Sequence, residues 1–287
     1  SPQQLVDVLL DATLWPGQAL GRDVAGSQES VAGLSRDMAL AHWRRQYVPN
    51  NMVVAVAGDS EHGRVVEAVT AALGGWETAT PLSWFPAVDG AGPRCSLRPK
   101  KTEQAHLSLA VRGLPLNHPD RYALSLISVI LGEGMSSRLF LELREKRGLV
   151  YDVHSYVSHF LDTGTFTVYA GVDPKNAYEA LQLVLAELAR LRDDTIGEEE
   201  LAKAKEMSKG RLVLRLEDSR AVSAWVGGQE TLLKEVRSPE QVLAEVEAVS
   251  IGDLKRVASQ LLAGDQLYLA VVGPYRSDKR FQALLRL

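Results

Sequence analysis

The sequence predicts an α+β fold with duplicated two-layer domains, in which helices pack on a mainly antiparallel mixed sheet. The predicted strands group into a hairpin, and the helices follow in blocks rather than alternating with strands. A helix–strand unit also occurs twice, which indicates duplication. The 287 residues are 46% hydrophobic, so the chain can bury sizeable cores, and its length suits two domains.

Composition and charge exclude several classes of protein. The 32 lysines and arginines against 36 aspartates and glutamates give a formal charge of −4, which does not suit binding to nucleic acid. The longest apolar stretch, residues 123–131, is too short to span a bilayer, so no membrane span is expected. Cys95 is the only cysteine, which excludes an intrachain disulfide and a thiolate zinc cluster. Residues 1–10 lack the features of a signal peptide, and the sequence indicates no compartment.

Three helices and one strand are predicted in the first 76 residues. The first helix covers residues 3–13. Its predicted apolar face consists of Leu5, Val8, Leu9 and Ala12. Helices over about 36–47 and 61–74 then flank a strand over 52–57.

Residues 34–59 and 249–274 align without a gap and share one pattern. Each begins with a serine-capped helix, at Ser35 and Ser250, and ends in a β-rich run that closes with glycine. The two serines are 250 − 35 = 215 positions apart. The second copy begins near Arg94, so the same offset places roughly 120 residues of the first copy upstream of this chain. The first domain is therefore expected to be truncated at its N-terminus.

These boundaries divide the chain into three predicted parts. Residues 1–76 are the C-terminal part of the first domain, residues 77–93 are a linker rich in proline and glycine, and residues 94–287 are the whole second domain. Because the first part lacks the start of its own sheet, we expect it to pair with another copy or to be poorly ordered.

The second domain is predicted to begin and end with strands. Its elements are a strand over 105–112, helices over 119–131 and 136–146, strands over 149–159 and 164–172, a helical block from 175 onward and a strand over 267–272. Gly132 and Gly134 separate the first two helices, and the turn at residues 162–164 makes the central strands a hairpin. Capping boxes that begin at Thr195 and Ser238 predict two helix starts.

Motifs of several catalytic classes are absent from the sequence. The chain has no G-x-x-x-x-G-K-[ST] loop, no G-x-S-x-G elbow and no H-x-x-E-H motif around its six histidines. His154 and His159 are five residues apart on a predicted strand, so they point to opposite faces and are not expected to share a metal. No catalytic residue and no metal ligand is therefore expected in this chain.

The most distinctive segment is residues 132–174, which contains GEGMSSRLF, LREKRGLVY and DTG in that order. It resembles the C-terminal domain of the insulinase/pitrilysin family of zinc metallopeptidases, which includes the mitochondrial processing peptidases. Residues 47–58, YVPNNMVVAVAG, resemble the end of that family's N-terminal domain. The likeness covers nearly the whole chain.

The resemblance implies two homologous α/β domains that enclose a chamber, with the zinc site in the N-terminal domain. It places Ser1 just after the last zinc ligand, so zinc is expected in the complete protein and this chain alone is expected to be inactive. Arg144 and Tyr151 match an arginine and a tyrosine that contact the bound peptide in the family. Gly132 and Gly134 lie where processing peptidases have a loop that guides the substrate, although the loop is shorter here.

Two functional interpretations follow from the resemblance. In the first, the chain is the C-terminal portion of a zinc metalloendopeptidase and forms the substrate-binding half of its chamber. Its partners would be peptide or unfolded-protein substrates and a homologous subunit or second copy. In the second, it is a non-catalytic substrate-binding or structural subunit of the same family. The spacing of Arg144 and Tyr151 alone favours a plainer interpretation, a solvated arginine that pairs along its helix and a tyrosine packed in a strand.

Overall fold

The computed structural model describes residues 1–88, 94–263 and 266–287 of the chain. It confirms the α+β class, with helices packed over a mixed sheet. The described residues divide into two compact units. The sheet unit consists of Ser1–Asp23, Pro86–Lys209 and Leu243–Leu287, and the smaller unit consists of Val24–Phe85 and Gly210–Val242. Residues 89–93 of the predicted linker lie outside the described residues.

Helices account for most of the regular structure. The α-helices of the described ranges are α1 Pro2–Leu14, α2 Gln28–Ala32, α3 Arg36–Gln46, α4 His62–Leu73, α5 Arg121–Gly132, α6 Ala177–Asp193, α7 Glu198–Arg215, α8 Ser219–Leu233, α9 Pro239–Ala248, α10 Ile251–Leu261 and α11 Lys279–Leu284. A π-helix covers Phe140–Glu145. The strands are β1 Cys95–Pro99, β2 Ala105–Gly113, β3 Val150–His159, β4 Gly164–Val172 and β5 Tyr268–Gly273.

The five strands form one sheet in the order β1-β5-β2-β4-β3. Strand β1 runs parallel to β5, and the other neighbouring pairs are antiparallel. The predicted hairpin is therefore confirmed as β3 and β4, with His154 opposite Tyr169. The sequence pattern did not predict β1, a short strand of five residues at the edge of the sheet.

Side chains on both faces of the sheet are buried. One face packs against α5, α6 and α10, and its core includes Leu107, Leu109 and Val111, which alternate along β2 as predicted. The other face is covered by α1, which lies across β1, β5 and β2. Burying each large apolar side chain in such a core stabilises the fold by about 1.5–3 kcal/mol.

Helix α1 buries a different face from the predicted one. Val6, Leu10 and Leu14 are buried against the sheet, whereas Ala12 of the predicted face is exposed. The most deeply buried side chains of the helix are four residues apart, at Val6, Leu10 and Leu14, and Trp15 at its end packs in the same cluster. Because α1 packs on this sheet, Ser1–Asp23 belongs to the sheet unit, whereas Gly210–Val242 of the predicted second domain belongs to the smaller unit. That residues 1–76 are the C-terminal part of a first domain stays a prediction.

The two repeat copies share the helix but not the strand. Ser35 caps α3 and Ser250 caps α10, as predicted, each by accepting a backbone N–H from three residues ahead. In the second copy the β-rich run becomes β5, which pairs on both sides. In the first copy, residues 52–57 form no ladder with any described strand, so the predicted strand was wrong. Val53, Val54 and Val56 are exposed because no neighbouring strand is present to cover them.

Two predicted helix starts have different outcomes. The capping box at Ser238 is confirmed, since Ser238 and Gln241 exchange backbone-to-side-chain hydrogen bonds of 2.7 and 3.3 Å at the start of α9. The box at Thr195 was wrong: α7 begins three residues later, at Glu198. There the Gly197 N–H donates instead to the Glu200 carboxylate.

Amide hydrogen exchange separates the two copies of the repeat. In this chain, the amides of residues 53–56 should exchange almost unprotected, because no strand ladder covers them. The amides of residues 269–272 lie in the middle of the sheet and should be protected roughly a thousandfold or more. Exchange followed by mass spectrometry checks both segments in one sample. Comparable protection of residues 53–56 would contradict the unpaired state.

Candidate functional site

Arg144 and Tyr151, the two residues predicted to contact a peptide, lie on one short segment. The π-helix replaces the second part of the α-helix predicted over 136–146. It is followed by a turn in which Gly148 has a φ of +60°, a left-handed conformation that glycine adopts without strain. The Gly148 N–H donates to the Arg144 carbonyl at 3.1 Å. These features fix the backbone between the guanidinium-bearing turn and the start of β3, and π-helices are frequent at functional sites.

Charge pairing along this segment leaves Arg144 apart. The Glu142 carboxylate accepts hydrogen bonds from Lys146 and Arg147, both at 3.0 Å. These two cations hold the pKa of Glu142 below its usual range. Arg144 makes no ion pair within the residues that the structure describes. Arg144 is solvated, as the plainer interpretation has it, but its partner in the described residues is the Phe140 ring rather than a carboxylate.

The polar ends of Arg144 and Tyr151 both face solvent. The Arg144 guanidinium lies 5.2 Å from the centre of the Phe140 ring, a cation–π contact that limits its movement without occupying its N–H donors. Tyr151 is 58% exposed, and its hydroxyl makes no hydrogen bond in the described part of the chain. A guanidinium can hold a carbonyl or carboxylate by a forked pair of hydrogen bonds, and a phenol can donate one more.

The two predicted site glycines have different environments. Gly132 is the buried last residue of α5, and a Cβ there would lie 2.4 Å from the Ser155 backbone nitrogen. It allows α5 to approach β3 closely and lies below the surface. Gly134 is exposed and has a φ of +94°, and a Cβ there would lie 2.9 Å from Met207 Cε.

Hydrogen bonds fix the loop around Gly134 at both ends. The Ser128 hydroxyl donates to the Glu133 carboxylate at 2.8 Å, and the Ser137 hydroxyl donates to the Gly134 carbonyl at 2.8 Å. Between these anchors the Met135 side chain is 78% exposed. The loop is thus a short, fixed projection with an apolar tip.

Groups that could bind metal or act as nucleophiles are few. Among the described ranges, no group of three or more His, Cys, Asp or Glu side chains is arranged to hold a metal ion. Cys95 is buried, and burial raises the pKa of its thiol to about 12. Burial also lowers the pKa of His106 and of His159. No described helix has both the length and the apolar character needed to cross a bilayer.

Phe140 and Glu142 are site residues that sequence reasoning missed. Phe140 lies four residues before Arg144, a spacing that often brings an aromatic ring and a side chain of the next turn together. Glu142 lies four and five residues before Lys146 and Arg147, so its choice of partners could have been anticipated. The missed signal was the spacing of charges, in which Glu142 precedes Lys146 by four residues and Arg147 by five.

Comparison with known proteins shows which family this chain resembles. Residues 33–208 match the family described as the peptidase M16 inactive domain. An uncharacterized zinc protease of Streptomyces coelicolor is 36% identical over 294 residues, which cover 99% of this chain and 63% of that protein. An uncharacterized zinc protease of Bacillus subtilis is 31% identical over 285 residues, which cover 96% of this chain and 66% of that protein. The chain thus spans somewhat less than two thirds of the curated relatives it matches.

Solved structures share the fold along nearly the whole chain. A protease from Helicobacter pylori superposes with a TM-score of 0.87 at 22% identity, covering 96% of this chain and 67% of that one. A peptidase M16 inactive domain from Pseudomonas fluorescens gives 0.86 at 21% identity, covering 96% and 66%. A chain of complex III2 from Candida albicans gives 0.87 at 24% identity, covering 99% and 70%. At these identities the likeness concerns the fold.

Substitution of Gly132 tests its structural role. Gly132→Ala should lower the free energy of unfolding by about 1–3 kcal/mol, because the new Cβ would force α5 away from β3. Gly197→Ala is the matched control, since a Cβ at Gly197 meets no atom within 4 Å and should change stability by less than about 1 kcal/mol. Urea unfolding checks both variants. Equal stability of the two would show that α5 and β3 tolerate a wider separation.

Proposed function

The chain belongs to the insulinase/pitrilysin (M16) family of metallopeptidases, and from that premise we propose that it is the C-terminal, substrate-binding portion of a zinc metalloendopeptidase. The proposal rests on the pair Arg144 and Tyr151. Their polar ends face solvent without polar partners in the described structure, on a segment whose backbone is fixed. Such a pair suits the backbone of an extended peptide, which offers carbonyl oxygens and few charges.

Each residue has a separate role in this proposal. Arg144 would hold a peptide carbonyl or a terminal carboxylate, and the Phe140 ring would reduce the freedom that the side chain loses on binding. Tyr151 would donate its O–H to the carbonyl beside the scissile bond, where negative charge grows in the transition state. The loop at Gly134 and Met135 would contact an apolar side chain of the peptide.

Zinc would belong to the complete protein. The curated relatives are named zinc proteases, and about a third of their length has no counterpart in this chain. The residues described here do not fit a metal site, so this chain would bind and orient the peptide and would not hold the ion. We expect this chain alone to bind peptides without hydrolysing them.

The smaller unit contains a segment that has no partner strand among the described residues. Residues 52–57 are extended with exposed valines, and Ala55 packs closely on α8 at Gly227. Valines of α4 and α8 line the open groove beside this segment. We propose that strands from the rest of a complete first domain occupy this groove, or that a homologous subunit or second copy does so in their absence.

Peptide hydrolysis by the complete protein tests the roles of Arg144 and Tyr151. Arg144→Ala and Tyr151→Phe should each lower kcat/KM by roughly 10- to 1,000-fold, as expected for loss of a hydrogen bond that strengthens in the transition state. Arg147→Ala is the control, because it removes an equal charge that is already paired with Glu142. Steady-state kinetics and the melting temperature should be measured together for all three variants.

The outcomes distinguish the proposed function from its alternative. Unchanged kcat/KM in both variants would refute the assigned roles, and a loss accompanied by a lower melting temperature would indicate a folding effect. A complete protein that binds peptides but does not hydrolyse them would be a non-catalytic substrate-binding subunit. A folded chain with no saturable affinity for extended peptides would be a structural module.

A further inference from the structure

Titratable side chains are concentrated between α1 and the sheet. The helix contributes Asp7 and Asp11. On strands β2, β3 and β4 the polar side chains of this face include His106, Ser108, Asp152, His154, Tyr156 and Tyr169. Asp7 and Asp11 are four residues apart and each follows a buried residue of α1, Val6 or Leu10, so the two carboxyls form a polar stripe beside the apolar row of the helix.

Direct contacts link the strand residues of this cluster. His106 Nδ1 lies 2.8 Å from the Tyr169 hydroxyl. The His154 ring packs against the Tyr169 ring with centroids 5.0 Å apart, and His154 Nδ1 lies 3.3 Å from an Asp152 carboxylate oxygen. A connected set of groups thus extends across three strands at the level of Asp7.

Two oxygens at the centre of this cluster are buried without a hydrogen bond. Asp7 Oδ1 makes none within the described ranges, and neither does the hydroxyl of Ser108, a residue that is 0% exposed. The Ser108 hydroxyl lies beside both Asp7 and Tyr156. Desolvation of the Asp7 carboxylate outweighs the Tyr156 and Ser108 hydroxyls beside it, so the neutral carboxyl, which gains an O–H of its own, is favoured.

We propose that Asp7 and Asp11 form a proton-binding site through which α1 docks on the sheet, so that the first half of α1 is held more tightly in mildly acidic solution than at neutral pH. Leu10, Leu14 and Trp15 keep the end of the helix attached in both conditions, because they stay buried. Thr13 also donates to Ser96 of β1 at 2.8 Å.

The ionisation of the two carboxyls supports this site. Burial, together with the neighbouring charge of Asp7, raises the pKa of Asp11 to about 6, and burial raises the pKa of Asp7 against the opposing effect of His154. The stability that Asp11 contributes is fully present below its ordinary pKa of 3.8 and is lost as the pH rises through about 6, when folded and unfolded chains both carry the ionised form. The contribution of Asp7 has the same sign, because its pKa is raised as well.

Other charged groups near α1 act differently. Burial lowers the pKa of His106, so its contribution has the opposite sign and is lost as the pH falls. Burial raises the pKa of Tyr156 and of Tyr169 to about 12, so both stay neutral throughout. At the C-terminal end of α1, Arg112 donates to the Leu14 carbonyl at 3.0 Å, and Tyr268 packs against the apolar cluster there. Variants of the carboxyls are therefore needed to isolate their effect.

Hydrogen exchange of α1 as a function of pH tests the proposal on the full chain. After correction for intrinsic exchange, the protection of residues 4–8 should fall about tenfold between pH 4.5 and pH 7.5 in the unmodified chain. In the Asp7→Asn, Asp11→Asn double variant this pH dependence should vanish, and the melting temperature at pH 7.5 should rise. Asp59→Asn, at an exposed position, is the control and should change neither.

Two results would overturn the proton-binding site. One is equal pH dependence of α1 protection in the unmodified chain and the double variant. The other is an NMR titration of the unmodified chain in which the Asp11 carboxyl carbon titrates near pH 4. The titration needs no variant, so it decides the question even if the double variant does not fold.

Discussion

Burial of both faces of one small sheet is the constraint on which the rest of the sheet unit depends. The sheet presents buried apolar residues on both of its faces, so helices are required on each side. The larger face is covered by helices from within residues 121–284, whereas α1 covers the smaller face. A chain that began after α1 would expose Ala110 of β2 and Ala270 and Val272 of β5 to water, which would cost apolar burial on two neighbouring strands.

Much of this fold could be predicted because its signals are local. Alternation along β2, the hairpin of β3 and β4, and the serine caps at Ser35 and Ser250 depend on residues that are near in sequence. The buried face of α1 depends on a sheet that begins about 90 residues later, so helical periodicity placed it wrongly. Residues 52–57 have every local feature of a strand, but a strand also needs a neighbour, which no local pattern supplies.

The sequence could name the residues of the candidate site, but it could not predict which groups their side chains contact. The resemblance named Arg144 and Tyr151, while their spacing alone favoured an ordinary charge and an ordinary strand residue. Only the structure shows that Glu142 takes Lys146 and Arg147 as partners and leaves Arg144 with the Phe140 ring. The same structure separates Gly132, which permits helix–strand packing, from Gly134, which shapes an exposed turn.

The π-helix lets the segment before β3 hold one residue more than an α-helix would, without turning Arg144 away from its direction. A π-turn holds one more residue than the α-turn it replaces, because its hydrogen bonds span five residues rather than four. Loss of one residue within Leu141–Leu143 would therefore restore α-helical geometry and leave Arg144 facing the same way. In evolution, the length of this segment is thus free to change by one residue while the positive charge offered at Arg144 is kept.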